Sequence, residues 1–280
     1  DHCVTGVQTC ALPISASNVA ILGFRGGVLS GGTGSSVTFA GSTNYTIGLE
    51  NFDISNTVSI DMSGTTSSGK VIGFAERGGS SAIRANVLNN SANYFMLGAN
   101  SGNTLSMYGV VSGSGGISIS SGNSGGSGVV NLYSANTYSG DTLINAGTSA
   151  GTKINIRINN ALSTNSFVQF GSAASSGGNL DLYGNNQTIA GITSGATAGG
   201  SITNSQAGLS TLTINQASNT TFGLAIGGSI MKRSRSLAVL GIFVTSKVRG
   251  EHKTYLSMAF GGCQMQWSST LEVPGILILF

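Results

Sequence analysis

Two carboxylates are the residues of this chain whose type and spacing best suit catalysis. Asp53 and Asp61 lie on either side of a strand-like segment, NTVSI, so they could approach each other on neighbouring edges. Paired carboxylates cleave glycosidic bonds by acid–base or nucleophilic chemistry. Each of the two is explained equally well as an isolated acid on a solvated face, and we favour that interpretation.

The residues that most other active sites require are missing from the middle of the chain. Residues 15–230 contain no Cys and no His, which Ser or Cys hydrolases and most transition-metal sites use. The Gly-rich segment at 113–116 lacks the Lys-Ser/Thr of a nucleotide-binding loop, and the one at 125–128 lacks the Asp of a calcium-binding repeat. We therefore predict that the protein is not an enzyme, has no catalytic, cofactor-binding or metal site, and needs no cofactor.

Binding through aromatic side chains is the other chemistry that the composition allows. A row of exposed tyrosines would suit adhesion to surface glycans or to host matrix. The tyrosines available for such a row are Tyr45, Tyr94, Tyr108, Tyr133, Tyr138 and Tyr183. The sequence does not show which of them face outward.

Charge argues against several classes of partner. Residues 16–228 hold six Lys/Arg and six Asp/Glu, so the net charge of +3 comes from the two ends. The sequence pI of about 8.9 is therefore poor evidence for a nucleic-acid partner. No apolar run approaches the ~20 residues of a membrane-spanning helix, and we predict no membrane-spanning segment.

Apolar and polar residues alternate in short segments that must position these side chains. In the segment KINIRIN, Ile154, Ile156 and Ile158 share one face, whereas a helix would scatter them around its circumference. The segment NLDLYG alternates in the same way, which places Asp181 on the outer face as a solubilising residue. Gly, Asn and Ser between the segments are typical of tight turns.

Regular spacing of these segments predicts a parallel β-helix. Their starts are 11 to 13 residues apart, which leaves no room for helices. They lie near Asn131, Thr142, Lys153, Ser166 and Asn179. An antiparallel sandwich or barrel has similar spacing. Two observations favour stacked coils instead: similar phrases recur, LSMYG (105–109) and LDLYG (180–184), and the many Asn residues can form amide ladders. We predict an all-β, right-handed parallel β-helix over most of residues 16–228.

One segment resembles the autotransporter-associated β-strand repeat, also called the passenger-associated transport repeat. The matching residues are Leu132, Ala135, Asn136, Thr137, Tyr138, Ser139, Gly140, Thr142, Ile144 and Gly147. Within this phrase we expect Asn136 and Gly140 to bracket a turn of unusual φ, Tyr138 to cap the apolar interior, and Thr142 to begin a strand. The resemblance is firm for residues 110–192 and extends less closely to 226.

The resemblance implies a function and a location. It implies a non-catalytic structural segment of a bacterial passenger, secreted or displayed at the outer membrane, whose partner is a translocator barrel absent from this chain. The alternatives are a carbohydrate-active, pectate-lyase-like β-helix enzyme and a glycan-binding module.

The two ends differ from the middle in composition. Residues 1–15 resemble a translated sequencing adapter, and residues 229–280 lose the Gly/Asn/Ser-rich texture while holding six of the twelve Lys/Arg. We expect four units: an adapter-like artefact (1–15), a strand-rich solenoid region (16–109), the repeat region (110–228) and a frameshifted or chimeric tail (229–280). The middle is expected to be a fragment of a much larger protein.

Overall fold

The computed structural model describes the chain in eleven stretches. These are residues 23–120, 128–147, 152–171, 176–195, 200–216, 220, 222, 225–227, 230–234, 244–248 and 251–255. The adapter-like segment 1–15 and most of the tail lie outside them. Within them the chain forms strands and turns without helices, and it winds into a right-handed parallel β-helix of about seven turns. The predicted fold class is confirmed.

The strands lie on three faces of the solenoid, and the third face consists of two separate sheets, because the coil segments 133–141 and 157–166 contain no strand. The first face contains β3 (Tyr45–Ile54), β5 (Val71–Glu76), β8 (Tyr94–Ala99), β11 (Gly116–Ser120), β13 (Thr142–Gly147), β15 (Phe167–Phe170) and β19 (Gly191–Ser194). The second contains β6 (Ser80–Ile83), β9 (Thr104–Met107), β12 (Val129–Leu132), β14 (Lys153–Ile156), β17 (Asn179–Asp181), β20 (Ser201–Thr203) and β22 (Ala225–Ile226). The third contains β2 (Ser36–Gly41), β4 (Ser59–Thr65), β7 (Val87–Leu88), β10 (Val111–Ser112), β18 (Gln187–Ile189), β21 (Ser210–Ile214) and β23 (Ile230–Ser234).

The remaining strands lie at corners and ends. β1 (Gly23–Leu29) pairs in parallel with β3, and β3 reaches round the corner so that its last residue, Ile54, pairs with Ile83 on the second face. β16 (Ser176–Gly177) pairs antiparallel with β13, and β24 (Val244–Val248) forms an antiparallel pair with β25 (Glu251–Tyr255). β23 pairs in parallel with β21, so the stack continues to Ser234, beyond residue 228 where the sequence analysis ends the solenoid.

The core consists of inward-facing apolar residues that stack from coil to coil. On the second face Leu105, Val130, Ile154, Leu180 and Ile202 are paired in register and fully buried. Burying such side chains is the main favourable term in folding. The stack therefore gives each coil its stability through its two neighbours.

The predicted isoleucine face is only partly correct. Ile154 and Ile156 are fully buried, but Ile158 is 42% exposed because β14 ends at Ile156 and the chain turns there. Alternation continues only as long as the backbone stays extended.

The unusual φ predicted for the turn in the repeat phrase is wrong. Neither Asn136 nor Gly140 has a positive φ. Asn136 is buried and joins three coils: its Oδ1 accepts the Val111 N–H at 2.7 Å and its Nδ2 donates to the Ala161 carbonyl at 2.6 Å. Tyr138, by contrast, is fully buried and closes the interior as predicted, and Thr142 begins β13.

Amide stacking between coils is also confirmed. The Asn155 Nδ2 donates to the Asn131 Oδ1 at 2.9 Å, and both side chains are buried. A buried amide that donates to the neighbouring coil favours one register, because a slip of one residue would leave its N–H groups without this partner.

Candidate functional site

One column of side chains on the second face combines positive charge, aromatic rings and exposure. Its members are Arg84, Tyr108, Tyr133, Arg157 and Tyr183, one from each of five successive coils. We call it the Arg–Tyr column. It contains three of the six tyrosines proposed from the sequence as an aromatic row.

The strand register positions the column. Ile83, Met107, Leu132 and Ile156 are paired partners on β6, β9, β12 and β14, and all point into the core. The next residue in each coil therefore points outward at the same corner, about 4.8 Å from the corresponding residue of the adjacent coil. Tyr183 reaches the same line through a left-handed backbone, with a φ of 47°.

Stacking joins the members of the column. The Tyr108 and Tyr133 rings are parallel within 8°, with centroids 4.4 Å apart. The Arg84 Cζ lies 4.5 Å from the Tyr108 ring centroid, and the Arg157 Cζ lies 5.8 Å from that of Tyr133 and 3.6 Å from that of Tyr183. Such contacts stabilise by roughly 0.5–1.5 kcal/mol each.

Because the tyrosine rings and guanidinium groups stack on one another, only their edges are accessible. Tyr108 is 38% exposed, the Arg84 side chain is 48% exposed, and Tyr133, Arg157 and Tyr183 are half-buried. Arg157 donates through Nε to the Asn131 Oδ1 at 2.8 Å. Among the described residues, its terminal nitrogens and the three phenol hydroxyls have no hydrogen-bond partner. The column therefore presents a line of N–H and O–H donors.

The carboxylates proposed from the sequence are not brought together. Asp53 lies on β3, where its Oδ1 accepts the Ala82 N–H at 2.9 Å and its Oδ2 is 3.9 Å from Arg84. Asp61 lies on β4 of the third face and accepts hydrogen bonds from the N–H and hydroxyl of Ser63, both at 2.8 Å. The two acids belong to different faces, so they do not form the pair that the sequence analysis considered and did not favour.

Asp181 was also misplaced by the sequence pattern, because it is not a solubilising surface residue. Its side chain points away from the core but is fully buried, and the Lys153 Nζ lies 2.8 Å from its Oδ2. Its Oδ1 accepts the N–H groups of Tyr183 and Ser205 at 2.9 and 3.0 Å. Burial alone would raise the pKa of Asp181, but these hydrogen bonds, led by that from Lys153, hold it below its ordinary value.

The other tyrosines make contacts of a structural kind. Tyr45 packs against Phe39, with ring centroids 5.7 Å apart, and burial raises its pKa to about 12. Tyr138 is linked by its hydroxyl to Thr142 at 2.6 Å, and burial also raises its pKa to about 12. The pKa of Tyr94 is raised, first by burial and then by the nearby Asp141 carboxylate.

The arginines of the column were missed by the sequence analysis. Arg84, Tyr108, Tyr133, Arg157 and Tyr183 are 24, 25, 24 and 26 residues apart, and each directly follows an apolar core residue. A search for outward residues at a coil-length spacing, without requiring one residue type, would have found the arginines with the tyrosines.

Two other kinds of site have no counterpart among the residues that the structure describes. No group of three or more His, Cys, Asp or Glu side chains there is close enough together to hold a metal ion. The same residues include no helix that is long and apolar enough to cross a bilayer.

Comparisons with protein-family models, with curated proteins and with solved structures found no match to this chain. Its functional interpretation therefore rests on the repeat phrase around Tyr138, on the coil geometry and on the Arg–Tyr column.

Proposed function

We propose that this chain is a non-catalytic structural segment of an autotransporter-type passenger, which supports export across the outer membrane and display at the cell surface. The supporting observation is the continuous stack of paired coils. Each strand of the second face, from β6 to β20, pairs in parallel with the strand one coil before it and the strand one coil after it. The repeat phrase around Tyr138 suggests the export route, because it resembles the passenger repeat.

The coil geometry gives this role a physical basis. A solenoid is stabilised by contacts between neighbouring units, so folding can spread from one coil to the next. Each coil that folds outside the membrane buries apolar surface and makes a new row of backbone hydrogen bonds. Its folding free energy then opposes backward movement of the chain through the pore.

The isoleucines of one strand region provide a matched test. We would place the 280-residue chain between an export signal and an outer-membrane barrel, and measure protease-accessible chain at the cell surface over time. Ile154→Asp buries a carboxylate in the core and should slow surface exposure, because an unpaired buried charge costs several kcal/mol. Ile158→Asp changes an exposed side chain and should be exported like the parent.

Equal export of the two variants, with purified Ile154→Asp shown to be unfolded by circular dichroism, would contradict the proposed coupling of folding to export. Failure of the parent chain to reach the surface would contradict the function itself.

A glycan-binding module is the second candidate, and the Arg–Tyr column favours it. The column is long, straight and half-exposed, and its donors recur once per coil. The glycan-cleaving alternative has less support, since Asp53 and Asp61 lie on separate faces.

A further inference from the structure

We infer that the Arg–Tyr column binds a linear polysaccharide that carries carboxylate groups, a polyuronate, laid along the solenoid axis. This inference rests on the surface-display half of the proposed function and specifies the ligand class. It concerns the column itself and uses neither of the carboxylates considered for catalysis.

Hydrogen-bonding chemistry selects the ligand. The accessible edges of the column are guanidinium N–H groups and phenol O–H groups. Guanidinium groups bind carboxylates through pairs of charge-assisted hydrogen bonds, and phenol hydroxyls suit the ring and hydroxyl oxygens of a sugar. A polymer rich in acceptors and regular in negative charge matches this line of donors.

The positions of the charges favour a moderately charged polymer. Arg84 and Arg157 are separated by three coil steps, or about 14 Å at ~4.8 Å per step. Asp53, 3.9 Å from Arg84, is the carboxylate that faces this end of the column, and Asp181 is buried against Lys153. With two cationic groups over five coils, the column suits spaced carboxylates better than a densely sulfated chain, whose binding needs many cations.

Stacking within the column determines the orientation of the ligand. A sugar that stacks flat on an aromatic ring needs a free ring face, but Arg84 and Tyr133 cover the two sides of Tyr108. The polymer must therefore lie across the ring edges, parallel to the axis.

The stacked arrangement also prepares the site for binding. Arg84 and Arg157 are held over aromatic rings, and Arg157 is further fixed by its hydrogen bond to Asn131. Side chains that are already ordered lose less entropy when a ligand binds.

The test uses the purified full-length chain and size-fractionated oligomannuronate, with a neutral mannan oligomer of equal length for comparison. Titration calorimetry should show binding of the uronate and much weaker binding of the neutral oligomer. Arg84→Gln and Arg157→Gln should each weaken binding about tenfold, the effect of one charge-assisted hydrogen bond. Arg25→Gln is the matched control because it removes the same charge from an 83%-exposed side chain outside the column, and it should leave affinity within about twofold.

A second variant separates binding from stability. Tyr133→Phe keeps the ring stack and removes one donor, so its melting temperature should equal that of the parent while affinity falls about threefold. No binding of oligomannuronate would overturn the inference, as would equal losses in Arg25→Gln and Arg157→Gln or equal affinity for the neutral oligomer. Tighter binding of dextran sulfate than of oligomannuronate would overturn the choice of carboxylate. Because this assay is done in solution, its failure leaves the export test unaffected, and the converse also holds.

Discussion

Gly140 provides a test of whether close packing of coils, and not turn conformation, explains the glycines of the repeat phrase. Its φ is not positive, so alanine could adopt the same backbone. A Cβ at this position would lie 2.5 Å from both the carbonyl carbon of Gly115 and the nitrogen of Gly116 in the preceding coil. These are backbone atoms and cannot rotate away.

The expected cost of Gly140→Ala follows from the hydrogen bonds at the contact. Ordinary van der Waals contact begins at 3.4 Å, so the two coils must separate locally by about 0.9 Å. The Gly140 N–H donates to the Gly115 carbonyl at 3.3 Å, and the Ser139 N–H to the Gly113 carbonyl at 2.9 Å. The Ile117 N–H donates to the Asp141 carbonyl at 3.0 Å. Weakening these three bonds at ~0.5–1.5 kcal/mol each gives a loss of roughly 2–4 kcal/mol, similar to or slightly above the usual cost of overpacking.

Urea unfolding followed by circular dichroism measures this loss, and two further variants interpret it. Gly32→Ala adds a Cβ with no atom within 4 Å and no positive φ, so its unfolding midpoint should be unchanged or slightly raised. Gly140→Asn separates the two explanations, because asparagine tolerates a positive φ but adds more volume than alanine. An unchanged midpoint for Gly140→Ala, or a higher one for Gly140→Asn than for Gly140→Ala, would refute the close-packing argument.

Two more predictions concern the buried ionisable groups. Asp181→Asn should destabilise the chain by about 1–3 kcal/mol at neutral pH. Since the folded pKa of Asp181 is depressed, this difference in unfolding free energy should persist above the ordinary aspartate pKa of 3.8 and disappear as pH falls through the folded pKa. Urea midpoints measured for both proteins from pH 2 to 7 would show this. A constant difference across that range would mean that the carboxylate charge contributes nothing. Tyr138→Phe should cost about 1 kcal/mol by removing the hydroxyl bonded to Thr142. Since the folded pKa of Tyr138 is raised to about 12, the parent should also lose stability as pH rises from 10 towards 12, and the variant should lose less; an equal alkaline loss in both would contradict the buried phenol.

Some of the fold follows directly from the sequence because it depends on local pattern. Strands β12, β13, β14, β15 and β17 begin close to the predicted positions: Thr142, Lys153 and Asn179 are strand starts, Phe167 is one residue from the predicted Ser166, and β12 begins two residues before the predicted Asn131. Period-two alternation and turn residues act over a few residues, so a single strand reveals them. Where the pattern misled, as at Ile158, the backbone had already left the extended conformation.

Contacts between coils were less predictable, because they depend on register over about one full turn of chain. Asp181 alternates with two leucines and so points away from the core, yet Lys153 from the preceding coil covers it. Alternation separates inward from outward side chains but gives no information on what the next coil places above an outward residue. Single-strand reasoning therefore cannot distinguish a solvated acid from a buried ion pair.

Because these contacts lie between coils, the sequence analysis found the tyrosines of the Arg–Tyr column but not its arginines. The arginines bear on the function of the column. If stacking alone were required at this corner, five like aromatic residues would satisfy it, as the Tyr108–Tyr133 pair does. Arginine at the first and fourth positions keeps the stacking, through contacts to Tyr108, Tyr133 and Tyr183, and adds two charges that a purely structural stack does not need. Arg157 is joined to the buried amide ladder through Asn131, so packing between coils also fixes one of these charges in place. Coil stacking thus gives the solenoid its stability and sets the spacing of the cationic groups on its surface. For this reason we expect loss of either arginine to weaken polyuronate binding while the β-helix stays folded.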